Sequence, residues 1–380
     1  MSTERKTPGR SAGKGPDPDP FAPGEIRSRL GRLREKLREK RLDAMLVSSV
    51  ASVRYLSGFA GDSSVALITP RRQYLITDSR FEEEAAISAP LFKALIHRKG
   101  IANMVDRTAG RLRVRRLGYE EHVLTAAMMS GLRKGRTLVP TSLMVDRLRA
   151  VKSPAEVEAV RLAVTAAEKG LRLVRRAFRA GNDERSLAAE LRYRMVRRAG
   201  AQDQAFETIV AEGPRGSLPH ARPTDRDVKR DSLVLVDWGA RCGFYHSDLT
   251  RVLAVGRIPT LFRKLVGVVR DAQLAAMERI RPGGDVRDVD RAARKVIERA
   301  GYGERFGHGL GHGLGLEVHE FPKVAPRGEG CLQAGMIFTV EPGIYLPGRF
   351  GIRLEDDVLV TETGLEVLSS MPHDPRLAVD

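Results

Sequence analysis

The stretch GHGLGHGLGLEVHE, residues 307–320, gathers His308, His312 and His319 among glycines. Neutral imidazole is a common metal ligand, and histidine exchanges protons near pH 7. Glycine costs about 1 kcal/mol in a helix interior relative to alanine, so this is not an ordinary helix. It is also not a zinc helix, because no Glu follows His308 as H-E-x-x-H requires. Glycine lets backbone approach a neighbour closely, and the expected neighbour is a metal, a substrate or both.

Two further stretches carry carboxylates. In SLVLVDWGARCGFYHSDLT, Leu233 and Leu235 alternate with Val234 and Val236, which is the pattern of a strand buried on both faces. Asp237 continues the Leu233–Leu235 face. A turn at Cys242-Gly243 places Asp237 opposite Asp248. In MIFTVEPGIYLPGRFGIRLED, a turn about Gly348 places Glu341 opposite Glu355. Directly opposed residues share a face at about 5 Å. Like charges that close, in apolar surroundings, need a cation or a proton. Solvated hairpin ends would not have flanks this apolar. Four carboxylates with one histidine suit Mn2+, Co2+, Fe2+ or Zn2+, and two ions rather than one neutralise the cluster. Two neighbouring metals are a known arrangement for activating water against a peptide bond.

The elements that must hold these groups follow from periodicity. Ile26, Leu30, Leu33 and Leu37 form a helical stripe over residues 25–41. LDAMLVSSV, SVALITP and QYLITDSR read as strands and FEEEAAISA as a helix, so residues 25–148 form an α/β domain. Residues 149–380 open with a long helix. Ser153 can cap it, Pro154 suits its first turn and Glu156 can close a capping box. A helix over 184–198, strand-like segments, helices over 260–280 and 286–300, and the second hairpin follow. The order helix, helix, hairpin therefore occurs twice, an α+β arrangement with its site between the halves. Residues 1–24, rich in proline, glycine and charge, read as a disordered tail with no secretory leader. No apolar run is long enough to cross a bilayer. Two cysteines imply no disulfide framework, which suits a reducing cytoplasm. The net charge of +17 is spread along the chain, with no zinc-finger spacing and no aromatic RNA-binding signature, so nucleic acid is not the expected partner.

The ordered set Asp237, Asp248, His312, Glu341 and Glu355 resembles the five-ligand signature of the M24 metallopeptidases, which have the pita-bread fold and include methionine aminopeptidase, aminopeptidase P and prolidase. The words VDWGA, SDLTR, TVEPGIY and GIRLEDD carry the resemblance with the histidine stretch. SVRYLSGFAG and YLITDSRF resemble the creatinase-type N-terminal domain, which favours the branch that cleaves Xaa-Pro bonds. The resemblance implies that Asp237 holds the first metal, Asp248 and Glu355 bridge both, and His312 and Glu341 hold the second. It implies a metal-bridging hydroxide as nucleophile and Glu341 as proton shuttle. His319 would donate to the scissile carbonyl oxygen, His220 would face it and help hold the intermediate, and His308 would line the proline pocket. A homodimer is implied as well. Two words depart from the family pattern: Arg215 stands where small or amide residues are common, and RDS replaces Gly-Asp before the Asp237 strand.

Arg353 lies two residues before Glu355 and shares its strand face, where it could pair with the carboxylates or grip a substrate carboxylate. The expected activity is release of the residue before proline from peptide N-termini, with manganese the expected metal. An Xaa-Pro dipeptidase is the enzyme alternative, with Arg353, Arg327 or Arg222 holding the free carboxylate. A non-catalytic pita-bread module that binds through its basic surface is the alternative from another class, and lost ligands would mark it. Here all five positions are filled.

Overall fold

The computed structural model describes residues 18–132 and 135–378, so the expected tail lies, up to residue 17, outside the described residues. The first helix, α1 (Pro23–Glu39), starts with proline in its first turn. Just ahead of it, Phe21 meets the ring of Phe244 edge-on at 6.1 Å. The N-terminal module continues with β1 (Ala44–Val47), α2 (Val50–Ser57), β2 (Ser64–Ile68), β3 (Gln73–Thr77), α3 (Glu82–Ser88) and β4 (Lys93–Ile96). It ends with α4 (Ile101–Arg111), β5 (Arg116–Glu120), α5 (Ala126–Leu132), β6 (Thr137–Thr141) and α6 (Met144–Ala150). Its sheet has the order β4-β3-β2-β1-β5-β6. In β1, Met45 and Val47 enter one apolar cluster while Ala44 and Leu46 enter another. Helices therefore cover both faces of the sheet, as a doubly buried strand requires.

The second module opens with α7 (Pro154–Val174), whose capping box is complete: Glu156 N–H donates to Ser153 Oγ, and Ser153 N–H donates to Glu156 Oε2. A cap of this kind contributes about 1 kcal/mol. Then come α8 (Glu184–Arg194), which widens into a π-turn (Met195–Ala199) capped by Gly200, and β7 (Asp203–Gln204), β8 (Ile209–Glu212), β9 (Ser232–Trp238), β10 (Ala240–Cys242), β11 (Tyr245–His246) and β12 (Leu249–Val255). The second half comprises α9 (Thr260–Met277), α10 (Val286–Arg299), β13 (Gly311–Gly313), β14 (Glu320–Val324), β15 (Ile337–Val340), β16 (Gly343–Leu346), β17 (Phe350–Arg353), β18 (Asp356–Val360) and β19 (Leu365–Val367). Strand β9 is sandwiched between the helix pairs. Val234 and Val236 pack with α7 and α8, and Leu233 and Leu235 pack with α9. The sheets β12-β9-β8 and β14-β13-β15-β18-β19 meet at one bridge, Thr250 with Glu355.

The modules share a core. One cluster holds Ile26, Leu30, Leu33 and Leu37 of α1 together with Tyr245, Leu314, Leu316 and Ile337 of the second module. Among the described residues, no helix is long and apolar enough to cross a membrane.

The first carboxylate hairpin is displaced from its expected register. Cys242 pairs with Tyr245, and Thr250, not Asp248, lies opposite Asp237. The turn is Gly243-Phe244, with φ of 53° and 69°. Positive φ at Phe244 is unfavourable locally, so tertiary contact holds it: the Arg54 guanidinium lies 4.1 Å from its ring centroid. The shift is two residues, an even number, so each side chain keeps its face. The second hairpin has its expected register, Gly343 opposite Arg353 and Val340 opposite Asp356, on either side of the Glu341–Glu355 position.

Candidate metal centre and active site

The five acidic and histidine positions arrive from two half-sheets. Asp237 is the penultimate residue of β9, Asp248 precedes β12, His312 is the middle of β13, Glu341 follows β15 and Glu355 precedes β18. Asp237 and His312 are still paired within their sheets, with Thr250 and Lys323, whereas Asp248, Glu341 and Glu355 stand just outside their strands. The glycines of the histidine stretch answer a different need from the expected one. A Cβ at Gly311 would stand 1.8 Å from Thr339 O, and one at Gly313 would stand 2.3 Å from Phe321 O. They let β13 press between the strands beside it, rather than onto a metal or substrate.

Asp248, His312 and Glu355 each offer one ligand atom, all within 4.8 Å of one another. His312 Nε2 lies 3.5 Å from Glu341 Oε1 and 3.7 Å from Asp248 Oδ2. Its Nδ1 is 3.2 Å from Gly313 O, so Nδ1–H donates there and Nε2 is left for an electrophile. Asp237 is held by the Arg353 guanidinium through Oδ2, while its Oδ1 is buried without a partner. Arg353 also stands 3.8 Å from Glu355 and 4.0 Å from Glu341. Its other bonds go to Thr250 Oγ1 at 2.9 Å, Tyr345 Oη at 3.0 Å and Pro219 O at 3.4 Å.

Charge at this point is unbalanced. Asp237, Asp248 and Glu355 are 8 %, 5 % and 2 % exposed, and the Arg353 guanidinium reaches Asp237, Glu341 and Glu355 but not Asp248. Burial, then the neighbouring carboxylates, holds Asp248 and Glu341 well above the usual carboxylate range. Burial and Asp237 push Glu355 up to about 7. Burial raises Asp237 even with Arg353 beside it. Burial, and His319 nearby, pushes His312 down to about 3, so its imidazole is neutral. Carboxylates that resist ionisation around a neutral imidazole and an orphaned oxygen are a donor set for divalent cations. Two such ions would balance the four carboxylates.

The surrounding histidines share the same space. A cavity of about 550 Å³ is lined by all five of these residues and by His220, His308, His319 and Arg353. The His312 and His319 rings are 4.2 Å apart. His308 Nδ1–H donates to Gly309 O at 2.8 Å, so Nε2 accepts from Tyr345 Oη at 2.9 Å. Burial pushes His308 down to about 4, in keeping with a neutral ring. His220 is exposed at the cavity rim. Its loop hangs from Glu184 of α8, which accepts from Glu212 N–H, Thr224 N–H and Arg215 Nε. Arg215, out of pattern in the sequence, is thus turned away from the cavity.

Sequence reasoning missed several residues here. Thr250 donates to Glu355 and accepts from Arg353. Thr339 Oγ1 accepts from His312 N–H at 3.1 Å. Asp357 Oδ2 accepts from Asp248 N–H at 3.0 Å. Thr250 and Thr339 each lie two residues from a carboxylate, on its face, and that spacing was the available signal. Tyr345 and Lys323 carried none. Of the cations considered for gripping a carboxylate, Arg353 and Arg222 line the cavity with Lys323, and Arg327 does not.

Residues 158–362 match metallopeptidase family M24, and residues 29–151 match the creatinase/prolidase N-terminal domain. The chain is 36 % identical to an uncharacterized peptidase of Bacillus subtilis over 91 % of this chain and 99 % of that protein. The fold matches the Xaa-Pro dipeptidase from Bacillus anthracis with a TM-score of 0.88 and 35 % identity, covering 92 % of this chain and 99 % of that one. It matches an X-Pro aminopeptidase from Thermotoga maritima with a TM-score of 0.85 and 35 % identity, covering 91 % and 99 %.

Proposed function

From its place in metallopeptidase family M24, to which the chain belongs, we propose that this peptidase hydrolyses the bond between an N-terminal residue and a following proline. The single observation that carries the reading is the convergence of four carboxylates and a neutral imidazole on one cavity that three further histidines share. Asp237, Asp248, His312, Glu341 and Glu355 would hold two divalent ions, manganese foremost, with Co2+, Zn2+ or Fe2+ as alternatives. When bound, such ions lower the pKa of water towards roughly 7 and supply the nucleophile. The chain's own groups do the rest. His319 donates to the scissile carbonyl oxygen as charge develops, and His220, opposite it, helps hold the intermediate. Glu341, partly exposed to the cavity, takes up and returns the proton that must reach the leaving nitrogen. His308, locked by Tyr345, lines the wall for the pyrrolidine ring. Proline has no N–H, so the site recognises a ring and not a donor.

A dipeptidase is the second reading, favoured by Arg222 and Lys323 on the cavity wall, where a free carboxylate could be gripped. Steady-state cleavage of an Xaa-Pro dipeptide against Xaa-Pro-Xaa peptides, with each metal supplied in turn, separates the two. Strong preference for the dipeptide rejects the first reading, and no cleavage with any metal rejects both. A homodimer in a reducing cytoplasm completes the proposal; its mass in solution tests the first part.

A further inference from the structure

The His319 ring has no hydrogen-bond partner among the described residues, and it stands edge-on to the His312 ring at 4.2 Å. Its position is therefore set by the backbone turn that carries it. That turn is fastened from outside the catalytic module. Arg149 of α6 has a side chain only 2 % exposed. Its Nη2 donates to Glu317 Oε2 at 2.7 Å and to Glu320 Oε1, the carboxylates on either side of Val318-His319. Glu320 Oε1 also accepts from Glu317 N–H at 2.9 Å, and Lys152 Nζ lies 3.4 Å from Glu320 Oε2. The start of the turn is pinned separately, because Gly315 O accepts from His246 N–H and Nδ1–H, each at 2.9 Å. A side chain at Gly315 would collide with this arrangement, its Cβ 2.9 Å from Glu320 Oε2 and 3.1 Å from Lys152 Cε.

We propose that Arg149 is a positioning residue, by which the N-terminal module holds the 315–320 turn so that His319 faces the scissile bond; this rests on the peptidase reading above. With Glu317 and Glu320 both drawn to one guanidinium, the two residues between them, Val318 and His319, line the cavity. A buried ion pair is a poor stabiliser compared with apolar residues of the same volume, so stability alone does not account for the Arg149–Glu320 pair. A rigid fork between two carboxylates suits holding the turn better than a packed aliphatic chain.

The test uses the full chain, with metal supplied for kinetics and without metal for hydrogen exchange. In Arg149→Met, kcat on an Xaa-Pro peptide falls by roughly 10- to 100-fold, because small misplacements of a reacting group cost that much. KM and bound metal per chain stay at the wild-type level. Amide exchange accelerates in peptides covering 313–321 and not in those covering β9, β12 or β15. Arg149→Lys, which keeps the charge, recovers part of both losses. Glu317→Gln removes a half-exposed partner and shows the same pattern more weakly; it decides the matter if Arg149→Met does not fold. Exchange that is unchanged, or kcat within about twofold of wild type, overturns the proposal. Wild-type protein inert towards every proline peptide sinks the functional reading instead, and exchange in the metal-free chain still reports whether Arg149 holds the turn.

Discussion

Arg353→Met separates the metal-free site from the loaded one. In the metal-free chain the Arg353 side chain, 5 % exposed, is the cation within 4.0 Å of Asp237, Glu341 and Glu355. Removing one partner of a buried ion pair costs about 3–5 kcal/mol, because the remaining charge is left without compensation. Unfolding entropy of about 2.1 cal/mol/K for each of the 380 residues amounts to roughly 0.8 kcal/mol/K if the chain unfolds as one unit. The shared core of the two modules supports that treatment. The expected fall in Tm of the chelated protein is therefore about 4–6 °C. Divalent ions change the comparison. At 100 times Kd a ligand stabilises by about 2.7 kcal/mol, and the variant binds cations without a competing guanidinium on Asp237. The metal-induced rise in Tm is thus larger in the variant than in the wild type. Scanning calorimetry of both proteins, chelated and with Mn2+ at matched concentrations, measures all four values. A chelated variant that melts within a degree of the wild type, or equal metal-induced rises, would refute the reasoning.

Asp248→Ala removes a carboxylate proposed to hold both ions; metal per chain measured by mass spectrometry falls, and peptide cleavage with it. Retention of both would end the metal assignment. Ser153→Ala breaks the capping box of α7 and lowers stability by about 1 kcal/mol in denaturant titration, with kcat unaffected. Glu320 is held below the usual carboxylate range by Arg149 and then Lys152, which outweigh its burial. A depressed folded value means that its contribution is complete above the unfolded pKa of about 4.3 and is lost as pH falls through the folded value. The stability gap between wild type and Glu320→Gln is therefore full at pH 7 and closes in acid. A gap that is constant from pH 7 to pH 3 contradicts the ion pair.

Much of the site was legible because strand chemistry repeats every two residues. Leu233, Leu235 and Asp237 share a face whatever the turn, so the inward direction of the carboxylates survived a register error at Gly243-Phe244. That error came from a ring in the N-terminal module's neighbourhood, beyond the reach of local turn rules. Strand β13 was not legible, since three residues with two glycines have no strand propensity, and its pairing with β14 and β15 creates it. Strands β4, β5 and β6 were not delineated although β1, β2 and β3 are as short, because KALI, RLGYE and TLVPT break their apolar runs with charge, glycine or proline. Arg149, Tyr345 and Lys323 act across distances in sequence that no spacing encodes, whereas the capping box of α7 lies within four consecutive residues and was plain.

The apolar cluster that runs from α1 to Leu314 and Leu316 has a consequence for dissection of this chain. The side chains that floor the histidine-bearing segment are roofed by the amino-terminal half, so cutting at the module boundary would wet the underside of the reaction chamber. Swapping that half for a relative's demands a matching contact face, and transplanting it onto an unrelated carrier would not preserve the chamber's shape.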